Sequence, residues 1–334
     1  MTGRKLLFTG VRQVQTLPLE LPSPAPDQLL VAVSHSAISP GTEMLVYRGE
    51  LPTDLSLDAN IAALSGGPQY PLAYGYAAVG QVMARGAALS DDWVGRQVFA
   101  FQPHASHFLA RPAEVIPVPA GIAPEDAVFL PNMETAVSFL MDGRPIIGEQ
   151  VLVLGQGVVG LLTALLLAQI PLASLTTVDN FAARRERSAA LTGARALAPA
   201  ELAAEAPHFD LTYELSGSPA ALDQAIAATG DYGRVVIGSW YGSKRAELNL
   251  GGRFHRSHME LISSQVSELK PIWTGRWDKR RRLELAWEMI RRQQPARLIS
   301  HRFPLSDAAS AYQLLDQAPA DCLQILFRYA GETD

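Results

Sequence analysis

The pattern of apolar and polar positions along the chain changes once, near residue 130. Before that point apolar residues come in short runs broken by Pro and Gly clusters. Leu29 to Ser34, Ala77 to Val82, Gln97 to Phe101 and Ser106 to Ala110 read as strands of a β-rich half. From about Glu125, helical periods alternate with short continuous apolar runs, the pattern of buried parallel strands joined by crossover helices. The strands expected there are Val151 to Leu154, Leu175 to Val178, Leu211 to Leu215, Arg234 to Ile237 and Leu261 to Ser264. A helix from about Lys279 to Gln293 and a strand from Gln324 to Arg328 follow. Residues 50–70, with Pro52, Gly66, Gly67 and Pro68, read as a long connection, either a flap over a site or a surface loop.

One stretch of the second pattern carries chemistry. Val151 to Leu154 runs into Gly155, Gly157 and Gly160, spaced G-x-G-x-x-G, and a helix is expected from Val158 to about Gln169. Gly155 permits the tight turn, Gly157 lets backbone approach a pyrophosphate, and Gly160 lets helix pack on sheet. The helix N-terminus would face the phosphates. The next strand ends in Asp179, about twenty residues on, where an acid hydrogen-bonds the adenosine ribose. Glycines alone would mark only a tight turn; strand, helix, second strand and Asp in register point to a dinucleotide. Asp179 favours NAD, because a carboxylate repels a 2′-phosphate, while Arg184 keeps NADP open. The cofactor candidates are Gly155, Gln156, Gly157, Val158, Val159, Gly160, Asp179, Asn180 and Arg184, joined by Ser216, Gly217, Gly238 and Ser239 at later strand ends.

Composition narrows the partners. At 334 residues and 48% hydrophobic the chain suits two domains with sizeable cores. A net charge of −5 offers no global attraction for nucleic acid or an anionic membrane, so the expected partner is a small molecule. Cys322, the one cysteine, excludes an internal disulfide framework and a cysteine zinc cluster. The most apolar run, Leu161 to Ala173, is broken by Gln169 and Pro171 and is too short for a bilayer. With no leader pattern at the N-terminus, a cytoplasmic setting is expected.

Several landmarks resemble the medium-chain dehydrogenase/reductase superfamily over essentially the whole chain. They are Gly41-Thr-Glu43 with Tyr47-Arg-Gly49, Pro71-Leu-Ala-Tyr-Gly75 leading to Val79-Gly-Gln-Val82, the glycine fingerprint, Ile299 to Pro304 and Cys322 to Leu326. Ser39 to Glu43, Pro131 to Thr135 and Ile262 to Val266 further resemble the branch that contains bacteriochlorophyllide hydroxyethyl dehydrogenase. The resemblance implies an α/β chain with a GroES-like β-barrel domain over residues 1–130 and 270–334. A Rossmann doubly wound parallel-sheet domain would occupy residues 131–269, with substrate in the interdomain cleft and a homodimer as the assembly. The departures bear on metal. Where zinc members carry their ligands, this chain has Pro40, Tyr76 and Ala77, with Pro131-Asn132-Met133 at the junction. A catalytic zinc needs three N, S or carboxylate ligands. The expectation is therefore a zinc-free enzyme with no metal site.

Without zinc, hydroxyls and imidazoles remain to stabilise or protonate a carbonyl oxygen. Thr42 matches the family's proton-relaying hydroxyl or is a turn cap, and Tyr76 is either a phenol aimed at substrate or a plug for the vacated metal pocket. His104 and His107 are loop proton donors or surface residues. Asn132 and Glu134 fall at the junction, where Glu134 is alternatively a buried partner for a helix end. The basic run Lys279 to Arg282 reads as the solvated face of an amphipathic helix. The function these residues imply is an NAD(P)-dependent oxidoreductase for an alcohol/carbonyl couple. The alternatives are an enone or quinone reductase, or a nucleotide-binding sensor without turnover.

Overall fold

The computed structural model describes residues 2–52, 67, 69–204, 206 and 208–329. Most of the 50–70 connection, with the flap reading placed on it, lies outside the described residues. Contacts divide the chain into two units, Met1–Pro131 with Ile290–Asp334, and Asn132–Met289.

The chain opens with β1 (Thr2–Gly10) and β2 (Gln13–Glu20), an antiparallel hairpin. Then come β3 (Leu29–Ala37), α1 (Thr42–Arg48), β4 (Ala78–Arg85), β5 (Gln97–Ala100), β6 (His107–Ala110), β7 (Ile116–Pro117) and α2 (Pro124–Ala127). Helix α3 (Leu130–Gly143) crosses the division. The second unit continues with β8 (Gln150–Leu154), α4 (Val158–Leu167), β9 (Ser174–Val178), α5 (Ala182–Thr192), β10 (Arg195–Leu197) and α6 (Pro199–Ala203). It ends with β11 (Phe209–Glu214), α7 (Pro219–Ala228), β12 (Thr229–Ile237), β13 (Glu260–Ser263) and α8 (Pro271–Thr274). After α9 (Lys279–Gln293) the chain returns to the first unit with β14 (Ile299–Pro304), α10 (Ala308–Gln317) and β15 (Gln324–Arg328).

The first unit is built on a mainly antiparallel sheet in the order β14-β15-β3-β4-β5-β7, with β6 also on β3. Leu29, Val31 and Val33 alternate inward along β3, the signature of a strand with one face on a core. That core gathers Leu6, Phe8, Val98, Tyr312 and Phe327 from distant parts of the chain. The second unit holds a wholly parallel sheet in the order β10-β9-β8-β11-β12-β13. Its middle strand β8 is buried on both faces from Val151 to Leu154, as its unbroken apolar run requires. Strand order reverses between β8 and β11, the position at which such sheets receive ligands. Among the described residues no helix is long and apolar enough to cross a membrane.

Two expectations change. Residues 270–289, placed with the first domain by sequence, group with the parallel sheet. The basic run is also not one solvated face, because Arg282 is 1% exposed. Its guanidinium donates to Glu134 Oε1 at 3.0 Å, to Ser138 Oγ at 3.3 Å and to the Val266 carbonyl. A buried guanidinium persists only when paired in this way, and the pairing ties α9 to α3. Burial pushes the Glu134 carboxyl up, opposed by Arg282.

A dinucleotide cradle and a hydroxyl cluster

The three glycines after β8 sit in three different environments. Gly155 has φ +91°, and a Cβ there would lie 2.6 Å from Ser216 Cα and 2.7 Å from the Leu215 carbonyl oxygen. The turn therefore excludes any side chain on both counts. At Gly160 a Cβ would fall 1.8 Å from the Gly155 carbonyl oxygen, so helix α4 packs too closely for even alanine. Gly157 is the opposite case: the nearest atom to a Cβ is Arg184 Nη1, at 4.0 Å. That open space lies over the first turn of α4, whose N-terminus no side chain caps. Free amides, a positive helix end and room for an anion fit a pyrophosphate.

Asp179 closes the β9 side of this cradle and is 7% exposed. Its Oδ2 accepts from the Gln156 amide at 2.7 Å and its Oδ1 from the Phe181 amide at 2.9 Å. The acid thus clamps the glycine turn, and each oxygen keeps a second lone pair for a ribose hydroxyl. Arg184 Nη1 lies 3.9 Å from Asp179 Oδ2, with its guanidinium over the Phe181 ring. Arg185 donates to the Asp179 and Asn180 carbonyls. Asn180 is exposed, Val158 is buried and Val159 is half-buried. The Gln156 side chain is fully buried, where it donates to the Val153 and Gly155 carbonyls and accepts from Ser188 Oγ.

At the ends of β11 and β12 the Gly217 amide donates to Ser239 Oγ at 2.8 Å. Gly238 is packed so that a Cβ would lie 2.3 Å from Phe139 Cζ. Beneath them lies a residue the sequence reading passed over. Glu214, fully buried, accepts from Ser216 N at 2.8 Å, Ser216 Oγ at 2.5 Å and the Tyr241 hydroxyl at 2.5 Å. Burial and the neighbouring Glu214 push the Tyr241 phenol up. The cue available in sequence was an acid ending an apolar strand.

The first unit brings together hydroxyls from two segments. Tyr76 donates to Ser39 Oγ at 2.5 Å, with Thr42 Oγ1 at 3.4 Å, and all three residues are half-buried. Ser39 was not singled out by sequence. Its amide donates to Glu43 Oε1 at 2.8 Å, while the Glu43 amide donates back to the Ser39 carbonyl at 3.0 Å. The fully buried Glu43 also receives the Tyr312 hydroxyl at 2.5 Å and faces His104 Nε2 at 3.0 Å. His104 Nδ1 meets Ser36 Oγ at 2.7 Å, and Ser36 meets the Tyr329 hydroxyl at 2.7 Å. His104 is 0% exposed and packs against Gly75, so it is neither a surface residue nor an open loop donor. Both its ring nitrogens serve the network that holds Glu43. His107, half-buried at the start of β6, bonds Ser106 Oγ at 3.0 Å, and burial pushes its pKa down.

The residues at the zinc-ligand positions do not fit that metal. Pro40 and Ala77 carry no donor atom, and the Tyr76 phenol is engaged with Ser39. Among the described residues no three His, Cys, Asp or Glu side chains group as a metal site.

A doubly wound parallel sheet with an open, uncapped glycine turn at its order reversal defines a dinucleotide-binding unit. No protein-family model matches the chain. It is 25% identical over 346 residues to 2-desacetyl-2-hydroxyethyl bacteriochlorophyllide A dehydrogenase of Cereibacter sphaeroides, covering 98% of each. It is 26% identical over 257 residues to an uncharacterised zinc-type alcohol dehydrogenase-like protein of Escherichia coli, covering 73% of this chain and 69% of that one. Among solved structures, a putative zinc-binding dehydrogenase of Sinorhizobium meliloti bound to NADP superposes with a TM-score of 0.78 at 18% identity, covering 98% and 99% of the two chains. Over nearly its whole length the chain is similar in sequence to dehydrogenases, and it shares the fold of solved dehydrogenase structures.

Proposed function

We propose that the protein is a zinc-independent, NAD(P)-dependent oxidoreductase acting on an alcohol/carbonyl couple. The observation that carries this reading is the contrast at the glycine turn, where Gly155 and Gly160 are packed shut and Gly157 opens over an uncapped helix end. The relatives' names, dehydrogenases of an alcohol type, support the same reaction class. When bound, the nicotinamide supplies or accepts the hydride. The chain's own residues do the rest. The α4 amides hold the pyrophosphate and Asp179 takes a ribose hydroxyl, which favours NAD, while Arg184 beside it can receive a 2′-phosphate. In the reductive direction a proton must reach the carbonyl oxygen as the C–H bond forms, and Tyr76 O–H is the donor the first unit offers. Ser39 Oγ, 2.5 Å away, would then hydrogen-bond the phenolate until solvent returns the proton.

The experiment is a paired fluorescence titration of chelator-treated protein with NADH and NADPH, then elemental analysis of the same samples. Tight binding of a reduced nicotinamide with no stoichiometric metal supports the reading, and oxidation of that cofactor by 2,3-butanedione or benzaldehyde establishes the reaction. Failure to bind either cofactor overturns it. One tightly held zinc per chain overturns the metal-free part alone.

A further inference from the structure

Two buried carboxylates in the second unit are treated differently. Glu134 is paired with Arg282. Among the described residues Glu214, 0% exposed, is bonded by Ser216 N, Ser216 Oγ and the Tyr241 hydroxyl, none of them a cation. Neutral donors satisfy a carboxylate's lone pairs without cancelling its charge, and buried charges are ordinarily paired. The position adds to the oddity. Glu214 ends β11, directly at the reversal of strand order, and its carbonyl accepts the Gly238 amide at 3.1 Å. Ser216, which it holds twice over, is the residue against which Gly155 packs. An uncompensated negative charge is therefore built under the crevice where the cofactor reading places the dinucleotide, on the half of the sheet beyond the reversal.

The two forms of a nicotinamide differ in charge at the ring, cationic when oxidised and neutral when reduced. We propose that Glu214 selects between them, favouring the oxidised cofactor, with Tyr241 setting how much of the carboxylate's charge is felt. The idea rests on the cofactor reading above. A unit charge acting across several ångströms at the effective dielectric of a protein is worth about a tenfold change in binding. The structure also dictates opposite signs for two substitutions. Glu214→Gln removes the charge and keeps the shape. Tyr241→Phe removes a donor dipole and leaves the carboxylate's charge less screened.

The test is the ratio of dissociation constants, oxidised over reduced, for whichever of the NAD or NADP pairs binds, measured by calorimetry on the full chain. In E214Q the ratio rises about tenfold, and in Y241F it falls severalfold. Equal weakening of both forms would reduce Glu214 to a structural prop and overturn the inference, as would shifts of the same sign in the two variants. Should E214Q fail to fold, the Y241F shift decides alone, since an unmoved ratio there overturns the idea. Wild-type protein that binds no nicotinamide in either form overturns the cofactor reading itself, a result plainly different from binding without discrimination.

Discussion

The glycine cradle and the hydroxyl cluster are built on opposite principles. The cradle comes from one continuous stretch whose backbone is forced into shape, with Gly155 at φ +91° and Gly160 packed on the Gly155 carbonyl. The cluster comes from side chains far apart in sequence: Tyr76 and Ser39 are 37 residues apart, Glu43 and His104 are 61 apart, and Glu43 and Tyr312 are 269 apart. Nothing local in the chain demands their meeting. A site fixed by backbone tolerates no change at its tight points and much at its open one. A site fixed by a buried polar network depends on residues that never touch a ligand.

The largest effect should come from the foundation of the cluster. Glu43→Leu leaves the buried His104 and Tyr312 groups and the Ser39 amide without their acceptor. Removing one member of such a buried set costs about 3–5 kcal/mol, so the chemical-denaturation midpoint of E43L should fall steeply. A midpoint near that of the wild type would mean the network contributes no stability. Next, Tyr76→Phe should lower turnover by about 10²-fold, as loss of a general acid does, with NADH affinity unchanged. Full turnover in Y76F would return Tyr76 to the role of a pocket plug.

The difference between the regions also explains what could be read from sequence. The parallel strands other than the short edge strand β10, the turn and Asp179 were legible because each follows from local pattern and spacing. Thr42 and Tyr76 were found only by resemblance, and Ser39 was missed because one serine in a loop carries no signal until a phenol meets it. His104 looked like a surface residue because it sits in a loop beside the turn-forming Pro103 and Ser106; its burial depends on Gly75 and Glu43. Arg282 looked solvated because periodicity shows which face a residue occupies but not a partner 148 residues away. The β1–β2 hairpin was not anticipated, since the short Leu6-Leu7-Phe8 run lacks a strong strand pattern.

A sharper version of the comparison sets two identical substitutions against each other inside the cradle. Gly160→Ala must push apart backbone at 1.8 Å and should cost about 1–3 kcal/mol or more. Gly157→Ala meets nothing closer than 4.0 Å, so its stability should stay within about 0.5 kcal/mol of the wild type. Yet its methyl group enters the space assigned to the pyrophosphate, and NADH binding should weaken at least several-fold. If G157A binds NADH as well as the wild type, the phosphates do not lie over α4.

The smallest effect lies in the first unit, away from its hydroxyls. Glu125 on α2 bonds Arg302 through Nε at 2.8 Å and Nη2 at 2.6 Å, with Arg328 at 3.3 Å. The hydrogen bonds from Arg302, more than any other cause, hold its carboxyl down from the ordinary 4.5 to about 2. A depressed carboxylate binds its proton more weakly when folded than when unfolded. Its stabilisation is therefore complete above about pH 4.5 and lost as pH falls through about 2. Because Glu125 is 24% exposed, water and salt screen the pair, and its contribution should be on the order of 1 kcal/mol. Glu125→Gln should flatten the acid limb of the stability curve across that window while NADH affinity at neutral pH is unmoved, because α2 belongs to a different unit from the cradle. An acid limb that keeps its slope in E125Q would assign the low-pH loss to other carboxylates.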